Sequence, residues 1–276
     1  MKASKRQLVI LTAVMLLVCY APTLKGTIEQ WWSDEDMGHG FLVPIVVFWI
    51  VCRERERWRK VPTEPSLWGF ALLGAGAAIH TMGAIGAGLF ASAVGFLVSV
   101  TGSVVCLGGL GLLRASAFPL LLTVFMLPKL AIMYNQITLP LQLLASRMAA
   151  AILTASGIGV IRAGNILEVH GHRLAVAEAC SGIRFLLPLG FVAVVFAYLA
   201  DSKPWMRVAL LAAAVPVAIA ANAVRVAAAA WLPALDSGTP HQAVGWVIFI
   251  LSLAALAPLR RLFNFMYALC RAQFQA

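Results

Sequence analysis

Residues 89–113 read LFASAVGFLVSVTGSVVCLGGLGLL, a run without one charged residue. An α-helix rises about 1.5 Å per residue, so this run outreaches a hydrocarbon core roughly 30 Å thick. Its apolar residues are continuous and do not alternate, which argues against a barrel strand. Glycine and alanine recur along it, and such small residues let membrane helices approach closely. The same pattern extends in both directions. Apolar segments at about 7–24, 40–52, 67–82, 115–134, 181–200, 204–226 and 242–259 join 89–113 to give eight predicted spans in a chain of 276 residues. A composition 62% hydrophobic and 12% charged leaves more apolar surface than a soluble domain of this size can hide. The expected fold class is all-α: a polytopic helical membrane protein forming one integral membrane domain over residues 1–276. Two pieces are expected outside the bilayer. Residues 135–158 carry Gln136, Gln142 and Arg147 among apolar neighbours and read as an outer amphipathic helix. Residues 160–177 alternate around Ile166, Glu168 and Val169 and again over 173–176, with His170-Gly171-His172 as the turn of a small β-hairpin before span six.

The charge pattern sets the orientation. A net charge of +10 invites a nucleic-acid partner. With a cytoplasmic N-terminus and eight spans, however, fourteen of the 21 basic and four of the 11 acidic residues fall inside, and the outer side is neutral. The whole excess lies on one face, as the positive-inside rule requires, so no nucleic-acid partner is expected. Lys2, Lys5 and Arg6 before the first apolar run resemble a signal peptide. No small-x-small cleavage site follows in residues 19–23, so an uncleaved first span is expected. Trp31 and Trp32 read as interface anchors, and the small-residue surfaces of spans three and four as docking faces for a substrate helix.

None of the five cysteines, Cys19, Cys52, Cys106, Cys180 and Cys270, shows CxxC or zinc-ligand spacing, and no metal or cofactor is expected. Cys180 stands apart. It lies in Glu178-Ala179-Cys180-Ser181-Gly182-Ile183-Arg184, at the outer threshold of span six. The same topology puts Arg225 at the outer end of span seven and His241 at the outer entrance of span eight. A thiolate is a nucleophile whose pKa falls near a cation or a helix N-terminus. An imidazole there can take the thiol proton and return it to a leaving amine. A guanidinium, or the Ser181 and Gly182 backbone N–H groups, can hold an oxyanion. Asn222, three residues before Arg225, shares its helical face and can orient it. Arg184, one turn into span six, needs a partner or a wet cavity. His39, at the outer end of span two, is a further candidate. His170 and His172 read as exposed turn residues, and His80 as packing. Two other classes stay open: a transporter with Arg184 and Arg225 on an anionic substrate, and a thiol-redox protein, which needs a second outer cysteine such as Cys19.

At these residues the chain resembles the exosortase/archaeosortase family. The matching pieces are Ala179-Cys180-Ser181-Gly182-Ile183-Arg184, then Asn222-Ala223-Val224-Arg225, then His241, with His39-Gly40-Phe41-Leu42-Val43-Pro44 and the following basic run near the start. The likeness covers about residues 30–260. It implies a membrane-embedded cysteine protease or transpeptidase in the inner membrane, its site at the periplasmic face and both termini cytoplasmic. Cys180 then corresponds to the nucleophile, with Arg225 and His241 as the essential arginine and histidine. His39, Glu178, Ser181, Arg184 and Asn222 would bind or support. The implied substrates are exported proteins with a C-terminal sorting signal: a motif such as Pro-Glu-Pro, an apolar span and a basic end. Some relatives carry a further soluble domain, which leaves room here for a separate accessory protein.

Overall fold

Backbone N–H and C=O groups inside a bilayer must find partners within the chain, and helices meet that demand segment by segment. The computed structural model describes residues 2–34, 36–176, 183–235 and 238–273 and is mostly helical. It divides into two units, Met1–Leu130 and Ala131–Ala276. Among the described residues five helices are long and apolar enough to cross a membrane, six if one bent pair counts as a single span.

In the first unit, α1 (Lys2–Cys19) and α2 (Ala21–Ser33) meet at a 69° bend. Pro22 starts α2, where its missing N–H costs nothing but where it interrupts the preceding helix. Tyr20 fills the bend. Its hydroxyl lies 2.7 Å from Ser99 Oγ, and its ring packs 4.4 Å from that of His80. His80 is therefore a packed residue, with Thr23 Oγ1 at 3.4 Å from its Nδ1. Helix α3 (Leu42–Arg59) carries the basic run on its last turns.

Helices α4 (Trp68–Met82) and α5 (Gly88–Ala115) form the closest pair of the unit, joined by a single π-helical turn, Gly83–Ala87. Gly69 and Gly76 on α4 and Gly83, the first residue after it, recur every seven residues. They face Cys106, Ser99 and Ser92, which recur every seven on α5. A Cβ at Gly76 would sit 2.8 Å from the Gly95 carbonyl oxygen, against backbone that cannot yield. Gly69, Gly76 and Gly83 are thus taken up in packing predicted spans three and four on each other. Gly76→Val is expected to destabilise the unit by about 1–3 kcal/mol through overpacking. Gly74→Ala meets nothing within 4 Å and is the neutral control. Thermal unfolding in detergent compares the two. Further along, Gly109 at φ +75° kinks α5, and the carbonyls of Gly108 and Val105 accept from the Glu64 and Ser66 N–H groups, both at 3.3 Å.

The predicted fifth span, 115–134, is not one helix. It contains α6 (Ala117–Leu122) with a 3-10 turn, Thr123–Met126, and then breaks. Leu127 is extended, at ψ 135°, because the proline at 128 excludes the α region for the residue before it. Residues 131–134 belong instead to α7 (Ala131–Ala155), the first helix of the second unit. Within it residues 136–155, expected to lie on the surface as an amphipathic helix, are themselves long and apolar enough to cross.

The predicted hairpin is a three-stranded antiparallel sheet of β1 (Val160–Ala163), β2 (Ile166–Val169) and β3 (His172–Ala175). The pairs Ala163↔Ile166 and Val169↔His172 each close a two-residue loop. His170 at φ +51° and Gly171 at φ +79° give the second loop the twist that two-residue hairpins need. Leu167, Val169, Leu174 and Val176 point to one face, as a period of two demands, and pack on Ala145, Ala149 and Leu153 of α7. Three helices complete the unit: α8 (Ile183–Ala200), α9 (Pro204–Trp231) and α10 (Gly238–Gln273). The last is a single 36-residue helix, so residues 260–273, expected as a tail, continue span eight.

Candidate active site

Helix α9 is the axis of the second unit. Its buried stripe runs Met206, Leu210, Ala214, Ala218 and then Asn222 and Arg225. The lower part is ordinary apolar packing: Met206 and Leu210 meet Ala197 of α8, and Ala214 meets Ala193 and Leu256. Toward the end of the helix the same stripe turns polar. Asn222 and Arg225 are each only 3% exposed. Val226, Ala227, Ala229 and Ala230 beside them pack on the inner face of the sheet. A guanidinium so placed loses its hydration and needs fixed partners.

One partner is His241. Arg225 Nη2 lies 2.5 Å from His241 Nε2. Helix α9 stops at Trp231 because Leu232 precedes a proline and is extended; a 3-10 turn, Pro233–Leu235, follows, and α10 begins at Gly238. His241 falls in the first turn of α10, with Nδ1 2.8 Å from the Leu235 carbonyl oxygen. A guanidinium only donates and a carbonyl only accepts. Nδ1 therefore carries the proton and Nε2 accepts from Arg225.

Helices α8, α9 and α10 pack as successive antiparallel neighbours, so their ends alternate. At one end Arg207 Nε donates to the Asp201 carbonyl at 2.8 Å, and Lys203 Nζ reaches Asn264 Oδ1 at 3.2 Å. The Lys203 backbone N–H, 3.0 Å from Asp201 Oδ1, holds that carboxyl below its usual range. The opposite end has the start of α8, the Arg225–His241 pair and the start of α10. Val176, packed beside Val226, is the last described residue before this stretch, and α8 resumes at Ile183. Cys180, Glu178 and Ser181 lie in 177–182, outside the described residues; Arg184 lies in the first turn of α8. Among the described residues no three His, Cys, Asp or Glu side chains gather as a metal site.

The family model for transmembrane exosortases matches residues 31–258. The chain belongs to the transmembrane exosortase family. It is a multi-pass membrane protein, and the match takes in Cys180, Arg225 and His241 together with His39. No curated protein and no solved structure matches the chain.

The exosortase residue His39 belongs to the first unit. It sits in a 3-10 turn, Gly38–Phe41, is 8% exposed, and lies with Nδ1 3.2 Å from the Asp36 carbonyl oxygen. Around it the 31–41 segment is fastened to residues 126–129. Trp31 Nε1 donates to the Met126 carbonyl at 3.2 Å, and Lys129 Nζ bridges Asp34 at 2.7 Å and Asp36 at 3.0 Å. Burial alone would lower the Lys129 pKa; the hydrogen bonds and charges of the two aspartates outweigh it and raise it. Sequence reading passed over Lys129; the signal available was a lone cation facing two acids spaced one residue apart. It also read both tryptophans as anchors. Trp32 is 85% exposed and fits that role, but Trp31 is 6% exposed, its ring closing over Gly40.

Burial pushes the His39 pKa below its ordinary value, against smaller opposing pulls from the Asp36 and Phe125 backbone and the Asp36 charge. The unfolded chain then takes up a proton near pH 6.5 that the folded chain refuses. Stability should therefore fall as pH drops from about 6.5 toward the lower folded value, and be unaffected by this group above it. His39→Gln is expected to flatten that slope in thermal unfolding between about pH 5 and 8.

Proposed function

We propose that this exosortase is a cysteine peptidase or transpeptidase that removes C-terminal sorting signals from exported proteins. The observation that carries the reading is the Arg225–His241 contact, at the end of the second unit to which the Cys180 stretch connects. In this scheme the Cys180 thiol gives its proton to His241 Nε2 as sulfur attacks a substrate peptide carbonyl. Arg225 leaves the imidazole for the developing oxyanion, a group it can hold by charge-assisted hydrogen bonds. The C–N bond breaks, the leaving amine takes the proton from Nε2, and a thioester remains on Cys180. An amine or a water resolves it. The scheme uses no cofactor. Asn222 supports the guanidinium from the same helix face; Glu178, Ser181 and Arg184 flank the nucleophile; His39 holds the 31–41 segment in shape.

The concentration of basic residues on one side of the predicted spans supports an inner-membrane protein with cytoplasmic termini and the site at the periplasmic face. The substrates are read as PEP-CTERM-like: a short motif, an apolar span and a basic end. A separate accessory protein completes the system where relatives carry a fused domain. A reporter exported with such a tail tests this in cells. Co-expression of the enzyme should release the tail, and scrambling the motif alone should prevent release. A tail that survives with the enzyme present contradicts the reading.

A further inference from the structure

We infer that the backbone carbonyl of Leu235 is the positioning group for His241, fixing its proton on Nδ1 and aiming the basic Nε2 at the Arg225 side of the site. The inference rests on the proposed role of His241 as proton carrier, but its geometry is independent of any substrate. Nδ1 lies 2.8 Å from the Leu235 oxygen and Nε2 lies 2.5 Å from Arg225 Nη2. Both neighbours demand the same tautomer. Free histidine prefers the proton on Nε2, so the fold selects the form that solution disfavours. Which nitrogen of a histidine is basic is set by the hydrogen bond its other nitrogen makes. Carboxylates often supply that bond; a backbone carbonyl orients the ring without adding a charge beside Arg225.

The carbonyl is itself held. Leu232 is extended ahead of Pro233, the proline fixes φ in the turn, and the Leu235 N–H donates to the Leu232 carbonyl at 2.8 Å. Its oxygen faces the first turn of α10, where His241 stands six residues along the chain. Residues 232–235, at the end of α9, are thus part of the site: their turn sets the protonation pattern of the residue that α10 presents.

Histidine 15N NMR on the full chain in nanodiscs tests this, with His241 identified as the signal lost in His241→Ala. In the wild type the Nδ1–H form should exceed the Nε2–H form by roughly tenfold or more, since two hydrogen bonds favour it. Pro233→Gly, which removes no side-chain hydrogen-bonding group, should bring the two forms within a few-fold; Pro233→Ala should fall between. A wild-type Nε2–H tautomer overturns the inference, and so does an unchanged ratio in folded Pro233→Gly. The wild-type spectrum needs no variant to fold and no substrate to be known. If the tautomer is as stated but Cys180→Ala still processes signals, the peptidase reading fails and the positioning stands.

Discussion

Cys180→Ala is expected to abolish signal processing, with a loss on the order of 10⁴-fold or more, because removing a nucleophile leaves only binding and electrostatics. Cys180→Ser should retain a small residue of activity, since a hydroxyl can attack but is a far weaker nucleophile at neutral pH. Cleavage of the tailed reporter in cells lacking the native enzyme, normalised to membrane-inserted protein, gives the number. Full activity in the alanine variant removes the cysteine from the chemistry whatever the family.

Arg225→Lys is expected to cost roughly 10²–10³-fold in kcat/KM, the loss typical of one oxyanion donor. Charge is kept, so the test isolates shape. A guanidinium is a rigid planar fork that can serve His241 with one arm and a substrate oxygen with another; an ammonium is a point charge on a flexible stem. The lysine also has to place its charge in a site where Arg225 is 3% exposed, above an apolar stripe of leucine and alanine. Its effect should therefore exceed that of any substitution at Arg271, which lies in the last turn of α10, at the far end of that helix from His241. Equal activity for arginine and lysine would mean that only charge is used there.

Long apolar runs were readable because bilayer thickness dictates their length. Residues 67–82, 89–113 and 204–226 became α4, α5 and α9 within a few residues. Residues 115–134 misled because hydropathy averages over a proline; Leu127 before Pro128 ends the helix whatever its neighbours' polarity. The α10 extension misled the other way: Arg260 and Arg261 were read as the end of span eight, but a charged pair does not end a helix, and α10 runs on to Gln273. The first β-turn, Gly164-Asn165, escaped notice, although its Asn165 ties the sheet down through Nδ2 to the Val176 carbonyl at 3.2 Å.

For the site, topology brought the ends of α9 and α10 to one side, and that was legible. The contact was not. Arg225 and His241 are sixteen residues apart, and whether they touch depends on a turn whose geometry comes from Leu232 and Pro233. The Leu235 carbonyl was invisible in principle, since every residue carries one and only the fold selects it. His39 was legible as a buried or functional histidine, but its surroundings required Trp31, Lys129 and two aspartates to converge from opposite ends of the first unit.

The most direct measurement is mass spectrometry of the intact enzyme after brief incubation with a synthetic tailed peptide, quenched in acid. The account predicts an adduct equal to the peptide's N-terminal fragment, located on Cys180, removed by hydroxylamine, and absent in Cys180→Ala. It should be strongly reduced in Arg225→Lys. Turnover of the peptide with no adduct on Cys180 under any quench, or an adduct on another residue, would contradict it.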